Sequence, residues 1–426
     1  MESGNNPALP ANIGGLKGWL SRLETVPYNL IGARIVQVVA GLVILYRIAT
    51  ELPAIQFLYG SSGIAVGSLS YLLGPRLAGW LDPIFYSGAG IYLMFAIWGL
   101  GGLGLLLGKA PRISTALALM GYILLENRTI VNDGGDNLLR ICLLYMIFLH
   151  PAVVNGGQVK PGPAVFMHNL AVLAIYLQVS ILYFIAGAFK LDGEVWIEGT
   201  ALYYITHVYA YAAPFDWLID LMKNPWVTTL GTYVSVIYLV GFVFMLFSRF
   251  HWAWALLGIG FHVGIAVMMG LYSFSAIMIA MILFSLRDSE WRAILDFVGQ
   301  GVVYIDGYCP YCRATGRAIE RFDWLHRLEV RDFRRDQSYQ DSGITAVELE
   351  SQMHLVNGGE VLRGYDAVLG VLARTPLGML AWPLARLAKS VGLGPKAYRW
   401  LAEHRIIVPD PQACQDGSCP VHAEKP

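Results

Sequence analysis

The stretch at residues 302–312 reads Val-Val-Tyr-Ile-Asp-Gly-Tyr-Cys-Pro-Tyr-Cys and decides the fold of the C-terminal part of the chain. Its first four residues are β-branched or aromatic, which favours a strand. Asp306-Gly307 is a turn dipeptide that ends the strand, and a helix is predicted from about 311 to 325. The sequence therefore predicts a strand, a tight turn and a helix, with two cysteines at the turn.

Two cysteines at the start of a helix have a defined chemistry. The thiol of Cys309 would lie over unpaired N–H groups at the positive end of the helix dipole, which stabilise a thiolate. Cys312 lies one turn further on and can close a disulfide with it. Pro310 suits an early helical position, and Arg313 and Arg317 add positive potential nearby. We predict a redox dithiol; a zinc half-site and an unreactive pair of thiols are the alternatives.

The residues after the dithiol continue an α/β pattern. Strands are predicted at 328–333, 353–356 and 360–363, and helices at 346–352, 364–374 and 395–404. The last two strands flank Asn357-Gly358-Gly359, which is typical of a hairpin turn. This order of βαβ and ββα units predicts an α/β thioredoxin-like domain over 300–408, followed by a tail at 409–426.

Three segments of this region resemble the DCC family of thiol-disulfide oxidoreductases. They are Asp306-Gly-Tyr-Cys-Pro-Tyr-Cys312, Gly364-Tyr-Asp-Ala367 and Tyr398-Arg-Trp-Leu-Ala-Glu-His-Arg405. The resemblance covers roughly 300–408 and implies a thioredoxin-like fold with dithiol chemistry. One departure from ordinary thioredoxins is that no proline occurs between Pro310 and Pro376. The cis-proline that normally faces the dithiol and binds the substrate backbone is therefore missing.

The tail contains a second group of sulfur and nitrogen ligands, Cys414, Cys419 and His422. One interpretation is a tethered dithiol that exchanges with the first one. Another is a metal site in which these three residues supply soft ligands. The third is a disordered tail with exposed cysteines, and the spacing alone does not choose between them.

The chain as a whole is strongly apolar. Of its 426 residues, 56% are hydrophobic and only 14% are charged, whereas a soluble domain has about 25% charged residues. We therefore predict a polytopic α-helical membrane domain of about eight transmembrane helices. The predicted spans are 31–52, 84–108, 113–131, 136–154, 168–189, 226–248, 252–270 and 272–287. Two amphipathic segments, 15–24 and 201–222, are predicted to lie at the interface or to re-enter the membrane.

Basic residues near these spans predict an orientation. They flank alternate loops, which places that side in the cytoplasm under the positive-inside rule. They are Lys17, Arg22, Arg34, Lys109, Arg112, Lys160, Arg249, Arg287 and Arg292. Both termini are then cytoplasmic, with 1–27 as an N-terminal cytoplasmic or interfacial segment and 28–290 as the membrane domain. The short loops suit a multi-pass protein in the lipid bilayer of a bacterial inner membrane. A formal net charge of +0 argues against a nucleic-acid partner.

Ionisable residues in apolar segments are candidates for function, because a charge in lipid is costly. Lys190 and Asp192 close the fifth predicted span. They are either an interfacial lysine beside an acidic partner, with Trp196 at the interface, or part of a site. A single histidine such as His262 is more typical of a hydrogen bond between helices.

Five other residues in the predicted membrane domain have simpler interpretations. Arg47 and Arg140 are predicted to be members of structural ion pairs. Asp133 and Asp136 belong either to a solvated loop or to a lid over the lysine of the fifth span. Cys142 lies in an apolar run and is predicted to be an inert buried thiol.

The stretch Tyr183-Phe-Ile-Ala-Gly-Ala-Phe-Lys190-Leu-Asp192 resembles a segment of HTTM transmembrane domains and of vitamin K-dependent γ-glutamyl carboxylase. In the carboxylase a lysine deprotonates vitamin K hydroquinone, and that lysine falls on Lys190. The segment Asn132–Arg140 and His262 also resemble the pattern of this superfamily. The resemblance covers about 28–290 and implies a quinone or hydroquinone near Lys190. The propeptide-binding and lumenal C-terminal regions of the carboxylase have no counterpart, so glutamate carboxylation is not implied.

Three functions agree with these patterns. The first, which we favour, is a membrane-bound thiol-disulfide oxidoreductase with a thiol or disulfide protein as partner. Cys309 would attack, Cys312 would resolve the mixed disulfide, and the membrane domain would couple to a quinone-like cofactor. The second is a carboxylase-like, hydroquinone-dependent modifying enzyme with Lys190 as base. The third is a non-catalytic membrane scaffold that senses redox state or binds metal. Candidate relay or partner residues are Cys414, Cys419, Asp192 and His262.

Overall fold

The structure is a computed structural model, and it describes residues 16–61, 63–65, 67–129, 133–155, 159–208 and 215–405. The chain divides into two compact units, Met1–Asp288 and Ser289–Pro426. The first unit is helical throughout its described part, and the second contains a small mixed sheet with helices.

The helices of the first unit follow the apolar segments of the sequence. They are α1 Leu16–Thr25, α2 Leu30–Glu51, α3 Ile55–Tyr59, α4 Ser70–Phe85, α5 Gly88–Leu107, α6 Pro111–Glu126, α7 Gly134–Met146, α8 Ala152–Asn155, α9 Pro163–Leu191, α10 Glu194–Ile197, α11 Ala201–His207, α12 Asp216–Met222, α13 Pro225–Met245, α14 His251–Met269 and α15 Tyr272–Ser285. Another helix, α16 at Asp288–Val298, begins at the boundary between the units.

The number of helices that could span a membrane is smaller than predicted. Among the described residues, five stretches are long and apolar enough: Leu30–Tyr59, α5, α9, α13 and α14, or six if α15 and α16 form one span. Each of the eight predicted segments does contain a helix, but α6, α7 and α15 have only 16, 13 and 14 residues. A helix rises about 1.5 Å per residue, so these three fall short of the hydrocarbon thickness of about 30 Å. The prediction of about eight spans is therefore not confirmed.

Glycines allow several of these helices to approach closely. A Cβ on Gly41 of α2 would overlap the backbone of Gly102 in α5, and a Cβ on Gly101 would overlap Ala118 in α6. Small residues at helix contacts are typical of membrane bundles, where van der Waals packing replaces the hydrophobic driving force. The apolar helices thus pack through short backbone distances, and large apolar side chains are left on the outside, as at Phe247, which is 87% exposed.

The second unit is built on a four-stranded sheet in the order β2-β1-β3-β4. Its elements after α16 are β1 Gly301–Ile305, α17 Pro310–Phe322, β2 Leu328–Asp332, α18 Ala346–Ser351, β3 His354–Asn357, β4 Glu360–Arg363, α19 Tyr365–Leu372, α20 Pro376–Ser390 and α21 Leu393–Glu403. β1 pairs in parallel with β2 and antiparallel with β3, and β3 pairs antiparallel with β4. The strands and the hairpin predicted from the sequence are confirmed. Gly358 and Gly359 form the hairpin turn with φ of 54° and 96°, the left-handed values that a two-residue turn requires.

The sheet has an apolar cluster on each face, because neighbouring residues of a strand point to opposite sides. Val303 belongs to one cluster with Ile319, Leu355, Ala367 and Val371, and Tyr304 belongs to the other with Phe333, Tyr339, Ile344 and Leu349.

The helix α20 was not predicted. It begins at a proline and contains Pro383 in its interior, and an internal proline is an unfavourable signal for a helix.

Candidate functional site

The two cysteines lie at the junction of β1 and α17. Cys309 is the N-cap of α17, and its Sγ accepts a hydrogen bond from the backbone N–H of Cys312 at 3.2 Å. Pro310 occupies the first helical turn, where its missing N–H removes no intrahelical bond. The predicted strand, turn and helix are confirmed, and the Cys309 sulfur lies at the positive end of the helix dipole.

The two sulfurs have different surroundings. Cys309 is fully buried, whereas Cys312 is partly exposed. Burial, followed by the hydrogen bond to Cys309 and the charge of Cys309, raises the pKa of the Cys312 thiol to about 12. Arg405 acts in the opposite direction and lowers that pKa. In the reduced state, Cys312 therefore holds its proton at neutral pH.

The guanidinium nearest to the dithiol comes from a distant part of the chain. Arg405 follows α21, and its Nη1 lies 3.9 Å from the Sγ of Cys312. Arg313 and Arg317, to which we assigned the positive potential, are exposed and make no described contact with either sulfur. Arg405 was missed as a candidate for this site, although it ends one of the three segments that resemble the DCC family.

The loop between the strand and the dithiol is held by a buried ion pair. The carboxylate of Asp306 accepts two hydrogen bonds from Arg334, both at 3.0 Å, and one from the backbone N–H of Tyr308 at 3.0 Å. The backbone N–H of Gly307 donates to Asp332 at 2.9 Å, and a Cβ on Gly307 would overlap that carboxylate. The aspartate and glycine before the first cysteine are thus explained by the geometry of the loop.

A tyrosine of α21 connects this helix to the sheet near the dithiol. The hydroxyl of Tyr398 accepts a hydrogen bond at 2.8 Å from the backbone N–H of Met353, the residue before β3. Burial, and to a smaller extent the charges of Cys312 and Tyr311, raise the pKa of Tyr398, while the Met353 N–H and Arg405 lower it. The end of α21 therefore lies close to both Met353 and Cys312.

Lys190 lies at the C-terminal end of α9 and is half-buried. Its Nζ donates to the backbone carbonyl of Ala186 at 3.4 Å and lies 4.8 Å from the ring centre of Trp196. Asp192 is exposed, and no ion pair joins it to Lys190 in the described part of the chain. These contacts fit the interpretation of an interfacial lysine packed on an aromatic ring, without the acidic partner.

His262 is fully buried in the first unit and pairs with another helix. Its Nε2 lies 2.8 Å from the hydroxyl of Tyr183 in α9, and its Nδ1 has no hydrogen-bond partner among the described residues. The ring of Tyr183 stacks on Phe242 of α13 with a centroid distance of 4.2 Å. Tyr183 precedes Lys190 by seven residues, or roughly 10 Å along a helix. The histidine therefore joins helices and makes no described contact with Lys190.

The predicted ion pairs of the first unit are confirmed. Arg47 is buried and binds Asp136 at 2.6 Å and Glu51 at 2.7 Å, and Arg140 binds Glu126 at 2.6 Å. Asp133 and Asp136 form the capping box at the start of α7. Asp136 is buried, so its carboxylate is not solvated, whereas Asp133 is partly exposed; a lid over Lys190 stays a prediction. Cys142 is buried, as predicted.

The candidate ligands of the tail, Cys414, Cys419 and His422, lie outside the described residues. Within the part of the chain that the structure describes, no group of three or more histidine, cysteine, aspartate or glutamate side chains is placed to hold a metal ion.

Residues 303–409 match the DCC1-like thiol-disulfide oxidoreductase family. The DCC1-like region starts in β1 and includes the dithiol, the Asp306–Arg334 pair and the Arg405 contact. The DCC part of the sequence resemblance is thereby supported, and the HTTM part stays a prediction.

One relative matches a longer part of this chain than the family does. The uncharacterized protein YitO of Bacillus subtilis is 27% identical over 202 residues, which are 43% of this chain and 63% of that protein. The chain thus spans less than two thirds of the length of this relative. No solved structure matches the chain.

Proposed function

We propose that the chain is a membrane-bound thiol-disulfide oxidoreductase whose reacting pair is Cys309 and Cys312. The observation that carries this proposal is the hydrogen bond from the Cys312 N–H to the Cys309 sulfur at the start of α17. At this position the helix N-terminus supplies the sulfur with an N–H donor and the positive end of the helix dipole. The match of this region to a family of thiol-disulfide oxidoreductases supports the same chemistry.

The reaction transfers two electrons between the dithiol and a protein partner. The Cys309 thiolate attacks one sulfur of a partner disulfide, forms a mixed disulfide and releases the other partner sulfur as a thiolate. The Cys312 thiolate then attacks the Cys309 sulfur, which closes the Cys309–Cys312 disulfide and releases the second partner thiolate. The partner is reduced by two electrons, and a thiol donor returns the dithiol to its starting state. In an oxidising compartment the same steps run in reverse.

The fold of the C-terminal unit is proposed to be thioredoxin-like. Its support is the mixed sheet in the order β2-β1-β3-β4, with the dithiol at the first strand-to-helix turn. The residue before β3 departs from the thioredoxin pattern, since it is Met353 and its N–H is already bonded to Tyr398. A partner backbone cannot use this N–H without displacing the tyrosine.

The membrane location and its side are parts of the same proposal. Among the described residues, five helical stretches are long and apolar enough to cross a membrane, which is consistent with an integral membrane protein. A bacterial inner membrane with both termini in the cytoplasm follows only from the basic loops and stays a proposal.

The quinone near Lys190 also stays a prediction from the resemblance. Lys190 is held by a carbonyl of its own helix and by Trp196, and the described residues bring neither Asp192 nor His262 to it. The residues around Lys190 therefore do not form a fitting quinone site in this structure, and no step of the proposed reaction passes through a quinone.

Differential alkylation with mass spectrometry tests the proposed function. Cells that express the wild type or the Cys312→Ser variant are treated with one alkylating reagent, then reduced and treated with a second. We expect Cys309 and Cys312 to alternate between thiol and disulfide, and the variant to hold a partner by a mixed disulfide on Cys309. A Cys309→Ser variant serves as the matched control and should trap nothing. Trapping on Cys312 in that control would reverse the assigned roles, and two inert thiols in every condition would overturn the proposal.

A further inference from the structure

The second step of a dithiol reaction requires a thiolate on the resolving cysteine, and the surroundings of Cys312 oppose it. Its thiol is partly covered, and this burial disfavours a thiolate on Cys312 also in the mixed disulfide, in which the Cys309 sulfur carries no charge. In the reduced chain, burial, the hydrogen bond to Cys309 and the charge of Cys309 together raise the pKa of Cys312 to about 12. Without a compensating positive group, the mixed disulfide on Cys309 would be long-lived.

One positive group is placed to compensate. The Nη1 of Arg405 lies 3.9 Å from the Cys312 sulfur, at the long end of the distances over which a hydrogen bond to sulfur acts. Among the described residues, no carboxylate forms an ion pair with Arg405, so its charge is not neutralised by a neighbour there. Its neighbour Arg399 on α21 is exposed and makes no described contact with the dithiol.

The position of Arg405 is set by the packing of α21. Tyr398 fixes this helix through its hydrogen bond to Met353, and Gly394 at the other end approaches Tyr365 so closely that a Cβ would overlap the tyrosine hydroxyl. Arg405 follows the last turn of a helix that is held at two points. A guanidinium on a positioned segment loses less freedom when it binds its target than one on a free side chain.

We propose that Arg405 is a positioning residue for the resolving step, in which its guanidinium stabilises the Cys312 thiolate that attacks the mixed disulfide on Cys309. This inference rests on the proposed function. In the step, the Cys312 proton goes to solvent, the bond between Cys312 and Cys309 forms, and the bond from Cys309 to the partner sulfur breaks. The partner leaves as a thiolate with the electron pair. Among the described residues, the titratable and charged groups that act on Cys312 are Cys309, Tyr398 and Arg405.

The test separates the two steps with an aromatic disulfide as the partner. Full-length reduced protein with Cys142, Cys414 and Cys419 replaced by serine is mixed with 5,5′-dithiobis(2-nitrobenzoate) in a stopped-flow spectrometer. The first equivalent of coloured thiolate reports attack, and the second reports resolution. In the same background, Cys312→Ser should keep the first phase and lose the second. Absence of both phases in the parent protein would contradict the proposed function itself, whatever the role of Arg405.

In Arg405→Gln we expect an unchanged first phase and a slower second phase, by roughly three- to ten-fold. The pH dependence of the second phase should also shift upward by about one unit, because an opposite charge at this distance favours the thiolate by about that amount. Arg405→Lys should recover part of the rate, and Arg399→Gln should match the parent although it removes the same charge. A second phase with unchanged rate and pH profile in Arg405→Gln, or a loss confined to the first phase, would overturn the inference. Equal melting temperatures of the variants exclude an effect of misfolding.

Discussion

Cys309 and Cys312 are three residues apart, yet different parts of the fold determine their environments. Cys309 is fully buried and receives an N–H from its own helix, which any helix N-terminus supplies. Cys312 is partly exposed and receives a guanidinium from a residue 93 positions away. The sulfur at the helix N-terminus is therefore the buried one, and an approaching partner must displace whatever covers Cys309 before that sulfur can attack.

Alkylation of Cys312 should depend steeply on pH. Its pKa of about 12 lies above the ordinary 9.0, so the reactive thiolate is scarce at neutral pH and increases about tenfold per pH unit up to that value. The Cys309→Ser variant loses the negative charge of Cys309 that contributes to this shift, so its profile should move to lower pH. The measurement is the alkylation rate of Cys312 by mass spectrometry from pH 7 to pH 11. A wild-type midpoint at or below the ordinary thiol value would contradict the prediction.

The pair of Asp306 and Arg334 should carry much of the stability of the loop before the dithiol. The Asp306 side chain is fully buried, so Arg334→Ala leaves an uncompensated charge, which costs about 3–5 kcal/mol. The readout is the midpoint of urea unfolding, followed by proteolysis of the C-terminal unit in the full-length protein. Arg335→Ala is the matched control, because that side chain is 82% exposed and should change stability by less than about 0.5 kcal/mol. Equal urea midpoints for Arg334→Ala and Arg335→Ala would show that the Asp306–Arg334 pair does not stabilise the C-terminal unit.

The helices of the first unit pack through apolar side chains and are also joined by individual hydrogen bonds. The Tyr183–His262 hydrogen bond joins α9 to α14, and the aromatic side chains of Phe242 and Phe261 pack beside it. The second ring nitrogen of His262 has no hydrogen-bond partner, so the histidine depends on Tyr183 for its only described bond. A buried polar group with one partner is sensitive to the loss of that partner.

Tyr183→Phe should therefore destabilise the first unit by about 1 kcal/mol, the usual range for a hydrogen bond between membrane helices. The expected result is a lower melting temperature of the detergent-solubilised protein. Tyr272→Phe removes a hydroxyl from a tyrosine that is 55% exposed, and it serves as the control with no expected change. A melting temperature of Tyr183→Phe equal to that of the control would mean that this hydrogen bond adds nothing.

The number of membrane crossings decides on which side the dithiol works. An odd number of spans places the two termini on opposite sides of the membrane, and an even number places them on the same side. The described helices allow five spans, or six if α15 and α16 are one. The proposed cytoplasmic position of both termini thus requires an even number, and six meets this condition.

Protease protection of terminal tags tests directly on which side of the membrane each terminus lies. With both termini in the cytoplasm, tags at residue 1 and after residue 426 should both resist protease in intact spheroplasts and both be cleaved after lysis. A C-terminal tag that is cleaved in intact spheroplasts would favour five spans. It would also place the dithiol in an oxidising compartment, where the disulfide form persists.

Local patterns were sufficient to predict most elements of the C-terminal unit. The β-branched run of β1, the Gly358–Gly359 turn and the Cys309 helix start act through neighbouring residues only, and each was predicted and confirmed. The apolar helices of the first unit were also predicted as helices, but their lengths were not. A run of apolar residues shows that a segment is buried or in lipid, and it does not show where tertiary contacts end the helix.

The contacts that define the candidate site depend on residues far apart in sequence. Arg334 reaches Asp306 across 28 positions, and Arg405 reaches Cys312 across 93. Each contact requires a particular strand order or helix packing, which no local pattern specifies. The sequence by itself determined that a dithiol starts a helix after a strand, because turn chemistry and capping are local. Only the tertiary structure decided which sulfur is buried and which charge faces the other, because burial and long-range ion pairs exist only after the chain has packed.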